Sequence, residues 1–330
     1  MTRKSLRMQQ SEILEKRDGL DDESSRELWN ERRGFEGEEG AVELLHEFGP
    51  GHWEILHDTW IQTNGKSQID IIVATLTHIY VFEIKNYNGH YTYSKQQQYI
   101  DHKPINGNLF TAYRRARSKM SEVLRQIDYT GGLVSKVVFI NPDHIVSVDE
   151  EFREEVLERH QFVDFIRQMC RNEAHSPRAN LSPSEFRHVV LENFIGTHPY
   201  PPKSYSHAQV MKLTCGFKCS NCHRAGERLS VSRYKVCCSS CGFEEAKTIA
   251  VLRAVCEYGV LRIDDHLRAR DICEFLGGKV SQAYISRLLP SHFESIPDSR
   301  FYYRNPGMIY DYYFDGRIVK GRTLKNKHAH

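Results

Sequence analysis

The 330-residue sequence predicts an α/β protein with a mixed sheet, followed by a small cysteine-rich module and a helical C-terminal domain. Three observations predict this fold class. The first half has the order helix, three strands, helix, strand; two Cys-x2-Cys pairs follow residue 215; and short helical patterns flank a Gly-Gly turn near residue 278. The predicted divisions are a polar leader at 1–29, the α/β domain at 30–170, a helical segment and linker at 171–211, the cysteine module at 212–247, a helix-turn-helix or winged-helix-like domain at 248–316 and a basic tail at 317–330.

The elements of the α/β domain follow from hydrophobic periodicity. Apolar positions at helical spacing predict a helix over 37–48, and alternating or continuous apolar runs predict strands. A basic helical pattern and a last apolar strand complete the domain. The predicted strands lie at 54–63, 68–75, 78–85 and 136–141, and the basic helix at 112–127.

Three charged residues interrupt the apolar strands. In strand 78–85, alternation places Glu83 and Lys85 on one face, and a hairpin brings Asp70 of the preceding strand beside Glu83. Two carboxylates in apolar surroundings repel each other unless a cation joins them. A Mg²⁺ or Mn²⁺ ion with oxygen ligands removes that conflict. The alternative is an exposed strand face with a turn aspartate.

Four stretches of this region resemble a known family. They are RRGFEGEEG at 32–40, QID at 68–70, FEIKNYNGHY at 82–91 and VVFINP at 137–142. Together they resemble the NERD (nuclease-related) domain, a branch of the PD-(D/E)xK nuclease superfamily, from about residue 30 to about residue 165. The chain as a whole is similar to NERD proteins of bacilli and their plasmids, which carry a zinc ribbon.

The resemblance implies a restriction-endonuclease-like core and a metal-dependent nuclease or nickase acting on DNA, with RNA not excluded. The family motif Gly-x-x-Gly-Glu is matched by Gly34, Gly37 and Glu38. The resemblance implies that Asp70 and Glu83 hold the metal with the Ile84 carbonyl. Glu38 would help to position the metal, and Lys85 would support the nucleophile.

The helix after the strands departs from the family pattern. Many members begin it with Asn-Pro-x-x-Gln, whereas Leu109 and Ala112 stand here in the Pro and Gln positions. Its basic side chains are instead candidates for contact with the phosphate backbone, although a solvated helix face is the alternative. These candidates are Arg114, Arg115, Arg117 and Lys119.

The cysteines between residues 215 and 241 predict a structural zinc site. Cys219 and Cys222 form one Cys-x2-Cys pair, and Cys238 and Cys241 form another after 15 intervening residues. Two such pairs supply the four thiolates of a closed tetrahedral site. Cys237 competes with Cys238 as a ligand, Cys215 is a spare, and disulfides are the alternative.

The C-terminal helical patterns predict a helix-turn-helix. Ser281 can begin the second helix of this motif, leaving Gln282, Ser286 and Arg287 on the side that would face nucleic acid. Two aromatic runs in RFYYRNPGMIYDYYF at 300–314 predict a hairpin that could act as a wing. The alternative is a plain helical hairpin.

Composition limits the remaining classes of function. The sequence contains no apolar run of the ~18 residues that a membrane helix needs and no secretory signal, so we expect a cytoplasmic protein that does not contact membranes. The basic tail is either a solvated end or a nucleic-acid contact. A homodimer is compatible with the sequence. The alternative functions are a nucleic-acid-binding protein with an idle nuclease-like core and an adaptor in defence or plasmid maintenance.

Overall fold

The computed structural model describes residues 3–198, 201–224, 228–297, 299 and 301–314. The predicted basic tail at 317–330 lies outside these residues. The chain divides into two compact units. The first is formed within residues 30–198 and the second by residues 3–29 together with the described residues after 200. No helix among the described residues is long and apolar enough to cross a membrane.

A five-stranded mixed sheet forms the centre of the first unit. Its strands are β1 (Glu54–Thr63), β2 (Gly65–Ala74), β3 (His78–Lys85), β7 (Gly132–Phe139) and β9 (Val156–Glu158). They stand in the order β1-β2-β3-β7-β9. The first three are antiparallel, whereas β3, β7 and β9 run parallel. The mixed sheet predicted from the sequence is therefore present.

Helices cover both faces of this sheet. They are α2 (Asp22–Phe48), which belongs to the first unit from residue 30 onward, α3 (Leu109–Gln126), α4 (Arg159–His175) and α5 (Pro183–Asn193). One apolar core contains Tyr80, Phe82 and Ile84 with residues of α2 and α4, and the other contains Val81 with residues of α3 and α5. The predicted alternation of β3 is thereby confirmed. The predicted domain end near residue 170 falls inside α4.

A second sheet lies beside the first within this unit. It is made of β4 (Gly89–Ser94), β5 (Gln97–Ile100), β6 (Lys103–Pro104) and β8 (His144–Val148). The order is β6-β5-β4-β8, with β4 and β8 parallel. Buried Tyr91 and Tyr93 of β4 pack with Phe110 of α3 and Phe139 of β7. This packing fixes the start of α3, where Asn108 caps the helix by accepting a bond from the Thr111 N–H.

The second unit combines helices with a three-stranded antiparallel sheet. Its elements are the helices α1 (Leu6–Glu15), α6 (His207–Val210), α7 (Lys247–Leu261), α8 (Ala269–Phe275), α9 (Gln282–Leu288) and α10 (Tyr310–Tyr313), and the strands β10 (Leu229–Val231), β11 (Lys235–Cys238) and β12 (Glu244–Ala246). α7 is buried along almost its whole length and is the centre of the core. Part of the segment predicted as a polar leader forms α1, which contributes Ile13 and Leu14 to that core.

The predicted hairpin at 300–314 does not form in the described residues. Tyr303 instead makes isolated bridges to Leu267 and Ser295, and α10 follows. The side chain of Asn305 explains the difference, because its Nδ2 donates to the carbonyl oxygens of Gly259 and Arg262 at 2.9 and 2.8 Å. These bonds hold the segment against the end of α7.

A buried ion cluster ties α1 to α7. Glu257 accepts bonds from Arg17 at 2.6 Å and lies 2.5 Å from the Lys218 ammonium, and the Arg17 side chain is fully buried. Arg17 also donates to the carbonyls of Thr214 and Gly216. Burial alone would raise the pKa of Glu257, but the charges of Lys218 and Arg17 hold it well below its usual range.

The ion cluster gives a testable prediction about stability. We expect Glu257→Gln to lower the free energy of unfolding at neutral pH by about 3–5 kcal/mol, because it leaves two buried cations without a carboxylate. A carboxylate with a depressed folded-state pKa stabilises above its unfolded pKa, and this contribution is lost as the pH falls. The difference between variant and wild type should therefore shrink below about pH 4.

Urea denaturation followed by circular dichroism measures this difference. Glu294→Gln is the control, because Glu294 pairs with Arg304 on the surface, where both side chains are more than 60% exposed, and it should change stability by less than about 1 kcal/mol. Equal effects of the two substitutions would contradict the assigned role of the buried cluster.

Candidate active site and candidate metal centre

The candidate site lies where β2 separates from β3. The antiparallel ladder between these strands ends at the pair Ile71 and Phe82. Beyond it, the Ile84 N–H donates to the Asp70 carboxylate at 2.8 Å, so a side chain takes the place of a strand carbonyl. β3 continues its parallel pairing with β7 through Lys85. The sheet thus opens on one side of β3 while the other side holds the strand in place.

Glu83 and Lys85 lie together on β3, as their spacing predicts. The Lys85 Nζ donates to Glu83 Oε1 at 2.7 Å. Glu83 is 8% exposed and Lys85 is partly buried. Their side chains therefore form a closely held ion pair next to Asp70, with little access for bulk water.

The electrostatics of this group match the predicted conflict between carboxylates. Burial and then the negative charge of Glu83 raise the pKa of Asp70 well above its usual value, and Glu38 adds to this effect. Burial acts to lower the pKa of Lys85, but the charges of Glu83 and Asp70 raise it overall above its usual value. Lys85 is therefore a cation at neutral pH, and its positive charge interacts with the carboxylates of both Glu83 and Asp70.

A close approach of α2 brings Glu38 to the site. A Cβ at Gly37 would lie 2.6 Å from the Cβ of Asn86, so only glycine allows this approach. The Arg33 Nη2 donates to the Asn86 carbonyl at 2.9 Å, and the Asn86 Nδ2 donates back to the Arg33 carbonyl at 2.8 Å. Because Asn86 follows Lys85 directly, these contacts fix α2 to the end of β3. Gly34, in contrast, faces open space.

His57 of β1 contacts the Glu38 side chain. Its Nε2 lies 2.6 Å from Glu38 Oε2, and both side chains are less than 20% exposed. The ring also meets Phe35 edge-on, with centroids 6.0 Å apart. His57 could not be predicted from the sequence, since a single histidine in a strand gives no signal of its partner on a helix.

The donor set fits a divalent cation with oxygen ligands. Asp70 is partly buried and Glu83 is buried, and a cation would relieve the repulsion between their carboxylates. Mg²⁺ commonly uses one or two carboxylates with waters and phosphate oxygens. Among the described residues, Glu38, Asp70 and Glu83 do not form a closed set of three metal ligands. Asp70 and Glu83 are therefore the side chains that could hold such an ion, and its remaining ligands would come from outside this set.

The predicted basic residues of α3 differ in their surroundings. Arg114, Arg115 and Arg117 are exposed, with Arg114 over the Phe152 ring. The Lys119 ammonium is held inside the molecule by Thr63 Oγ1 at 2.7 Å and Glu122 Oε2 at 3.2 Å. Through these bonds Lys119 connects α3 to the turn between β1 and β2.

Four cysteines of the second unit form one cluster. The Sγ atoms of Cys219, Cys222, Cys238 and Cys241 all lie within 4.8 Å of one another. Two of the separations are 3.6 and 3.7 Å, whereas Zn–S bonds of ~2.3 Å place two thiolates of a tetrahedral site about 3.8 Å apart. The cluster therefore fits a zinc ion with four thiolate ligands.

The structure also separates Cys238 from its neighbour Cys237. Cys238 is buried in the cluster, whereas the Cys237 thiol contacts Glu244 Oε1 at 3.4 Å. Cys215 is not part of the cluster either and contacts the Met211 carbonyl. The backbone N–H of Phe243 is the largest influence that lowers the pKa of Cys241 to about 6, so this thiol is ready to act as a ligand.

The predicted nucleic-acid-facing residues of α9 lie on its outer side. Gln282, Ser286 and Arg287 are exposed, whereas Ile285 is fully buried. Ser281 caps the helix by accepting a bond from the Tyr284 N–H, as predicted.

The mixed sheet and its covering helices fit a nuclease-like α/β core. Residues 33–141 match the family model of the nuclease-related domain, NERD. The match covers about a third of the chain, lies within the first unit and includes Glu38, Asp70, Glu83 and Lys85. Comparisons with curated proteins and with solved structures gave no significant match. The cysteine cluster and the helices that follow it lie outside the matched segment.

The raised pKa of Asp70 predicts a dependence of stability on pH in the absence of added divalent metal. A group whose pKa is raised by folding contributes to the free energy of unfolding fully below its unfolded-state pKa, here about 3.9. This contribution is lost as the pH rises through its folded-state pKa. Asp70→Asn keeps an oxygen for the Ile84 N–H but has no charge. We expect it to raise the Tm at about pH 8 by about 2–4 °C, equivalent to about 1 kcal/mol, and to have no effect near pH 4.

Thermal denaturation across this pH range tests the expectation. Asp143→Asn changes the same residue type at an exposed position and should leave the Tm unchanged. A lower Tm of Asp70→Asn at about pH 8 would contradict the charge conflict.

The cysteine geometry predicts the metal content of two variants. Wild-type protein should contain about one zinc ion per chain. Cys241→Ser should lose most of this zinc and Cys237→Ser should retain it, because Cys241 belongs to the cluster and Cys237 does not. Elemental analysis of the purified proteins gives the answer. Equal zinc loss in both variants would contradict the ligand set.

Proposed function

We propose that the first unit is a metal-dependent endonuclease or nickase that hydrolyses phosphodiester bonds of DNA. The observation that carries the proposal is the arrangement of Asp70, Glu83 and Lys85 at the opening between β2 and β3. Two carboxylates that can hold a divalent ion, next to a cationic lysine, are groups that can serve metal-assisted phosphodiester hydrolysis. The match of this segment to the nuclease-related domain supports the same reaction class.

Each side chain has a role that follows from its position. Asp70 and Glu83 would hold Mg²⁺ or Mn²⁺, which when bound would neutralise charge on the scissile phosphate and lower the pKa of water. The Ile84 N–H keeps one Asp70 oxygen in place. Lys85, protonated beside Glu83, would orient the attacking water and stabilise negative charge that develops on the phosphate. Glu38 would help to position the metal or its water from α2.

The remaining candidates concern substrate binding. Arg114, Arg115 and Arg117 present three cations on the exposed side of α3 and would contact phosphates near the site. In the second unit, the cysteine module, with zinc as its structural ion, would support a helical domain that holds DNA through Gln282, Ser286 and Arg287. RNA is the alternative substrate, and a homodimer would allow both strands to be cut.

The proposal also covers the cell compartment and the function of each division of the chain. The proposed compartment is the cytoplasm, where cysteines are kept reduced. The divisions proposed from the sequence assign catalysis to residues 30–170, the zinc module to 212–247 and the helix-turn-helix to 248–316.

Plasmid cleavage tests the proposed activity. We expect purified protein to relax or linearise supercoiled plasmid in the presence of Mg²⁺ or Mn²⁺, and not without them. Glu83→Ala and Lys85→Ala should each lower the rate at least ~100-fold, because each removes a group that acts on the transition state. The ratio of nicked to linear product distinguishes a nickase from a double-strand nuclease.

Matched substitutions outside the site serve as controls. Glu151→Ala and Lys103→Ala change the same residue types at exposed positions of the first unit and should keep wild-type rates. Absence of cleavage of plasmid, single-stranded DNA and RNA, with tight binding retained, would instead establish a nucleic-acid-binding protein with an idle core. A pull-down that resists nuclease and high salt would favour the adaptor.

A further inference from the structure

The turn between β10 and β11 projects an exposed aromatic side chain. Ser232 fixes this turn, because its Oγ accepts from the Lys235 N–H at 3.0 Å and its own N–H donates to the Lys235 carbonyl. At the tip, Tyr234 is 69% exposed, and Arg233 places its Cζ 5.1 Å from the centroid of the Tyr234 ring. Of the large hydrophobic side chains in the described residues, only Phe301 is more exposed.

This turn and α9 are joined through Lys247 at the start of α7. The Lys247 N–H donates to the Tyr234 carbonyl at 2.8 Å, and its Nζ lies 4.4 Å from the centroid of the Tyr284 ring on α9. The Tyr284 hydroxyl lies 3.0 Å from Thr248 Oγ1. A continuous surface therefore runs from the turn to the outer side of α9. We call it the basic strip, and its members are Arg233, Tyr234, Lys247, Tyr284 and Arg287.

The charges of the basic strip are not compensated. Arg233, Lys247 and Arg287 have no carboxylate partner within the part of the chain that the structure describes. Two other exposed aromatic residues of this unit, Phe301 and Tyr302, have a different setting. The arginines near them, Arg268 and Arg304, form ion pairs with Asp271 and Glu294.

Uncompensated cations beside an open aromatic ring are the features that bind unpaired nucleotides. The cations attract the phosphate backbone, and a base can stack on the aromatic face. An acidic protein surface would engage the cations alone, whereas a nucleotide engages the cations through its phosphate and the exposed ring through its base. We propose that the basic strip binds nucleic acid with unpaired bases and that one base stacks on Tyr234.

This inference rests on the proposed role of the second unit in holding nucleic acid. It adds the state of the ligand, namely an unpaired segment, and two residues, Arg233 and Tyr234. It does not depend on catalysis in the first unit, because the basic strip consists only of residues of the second unit.

Fluorescence anisotropy with the full chain tests the proposal. Three labelled probes are used without added Mg²⁺ or Mn²⁺: a single strand, a blunt duplex, and a duplex with a single-stranded extension. We expect Tyr234→Ala to weaken binding of the single strand and of the extended duplex by roughly 5- to 100-fold, the range of a lost base stack. Binding of the blunt duplex should change by less than about twofold. Tyr234→Phe keeps the ring and should bind as wild type does.

Matched substitutions elsewhere in the second unit show whether the loss of affinity is specific to the ring and the charge of the basic strip. Phe301→Ala removes an exposed aromatic ring elsewhere in the same unit and should leave all affinities unchanged. Arg233→Ala should lower the slope of log K against log salt by about 0.7 for the single strand. Arg304→Ala removes the same charge from an ion-paired position and should leave this slope unchanged.

Three outcomes would overturn the proposal. They are wild-type affinity of Tyr234→Ala for the single strand, equal losses in Tyr234→Ala and Phe301→Ala, and equal losses for all three probes. A plasmid cleavage assay on the same proteins keeps the two proposals apart. If the wild type does not cut plasmid while Tyr234→Ala binds the single strand weakly, the nuclease proposal fails and the basic strip stands.

Discussion

The candidate active site depends on one constraint: carboxylates are held together on a sheet where water cannot fully solvate them. The end of the β2–β3 ladder causes this, because the Ile84 N–H binds the Asp70 side chain instead of a strand carbonyl. Glu83 is buried next to it, and the single ammonium of Lys85 offsets only part of the negative charge. A cation would remove the remaining conflict, and in the proposed function this conflict would be the physical source of metal affinity.

The packing around the site maintains this arrangement. Gly37 lets α2 approach Asn86, and the paired bonds between Arg33 and Asn86 hold the helix to the end of β3. Glu38 lies on the same helix and contacts His57 of β1. The positions of the Gly-x-x-Gly-Glu motif therefore differ in their surroundings. Gly37 allows the contact with Asn86, and Glu38 supplies a carboxylate, whereas a side chain at Gly34 would meet no neighbouring atom.

Periodicity predicted the strands that carry Asp70, Glu83 and Lys85, although β2 begins at Gly65 rather than at residue 68. The helix that carries Glu38 begins at Asp22 rather than at residue 37. β1 and β3 run over the predicted residues, and Glu83 and Lys85 share a face because strand alternation is a local property. The spacing of the cysteines likewise predicted their cluster. The choice between Cys237 and Cys238 required the structure, since adjacent residues of β11 point to opposite sides.

Features that depend on tertiary contacts could not be predicted. The strands of the second sheet have only two to six residues, and the buried packing of Tyr91 and Tyr93 is set by distant partners. Arg17 lies in a polar sequence, yet it is fully buried because Glu257, far along the chain, neutralises it. Among the described residues of 300–314 the predicted hairpin is absent for the same kind of reason, since Asn305 binds the Gly259 and Arg262 carbonyls at the end of α7.

Binding of Mn²⁺, followed by electron paramagnetic resonance on protein with its zinc retained, tests the central claim most directly. The account predicts saturable Mn²⁺ binding by the wild type that is lost or weakened at least ~10-fold in Glu83→Gln and is unchanged in Glu151→Gln. Equal Mn²⁺ affinity of the wild type and Glu83→Gln would contradict the assignment of a metal site to the opening between β2 and β3.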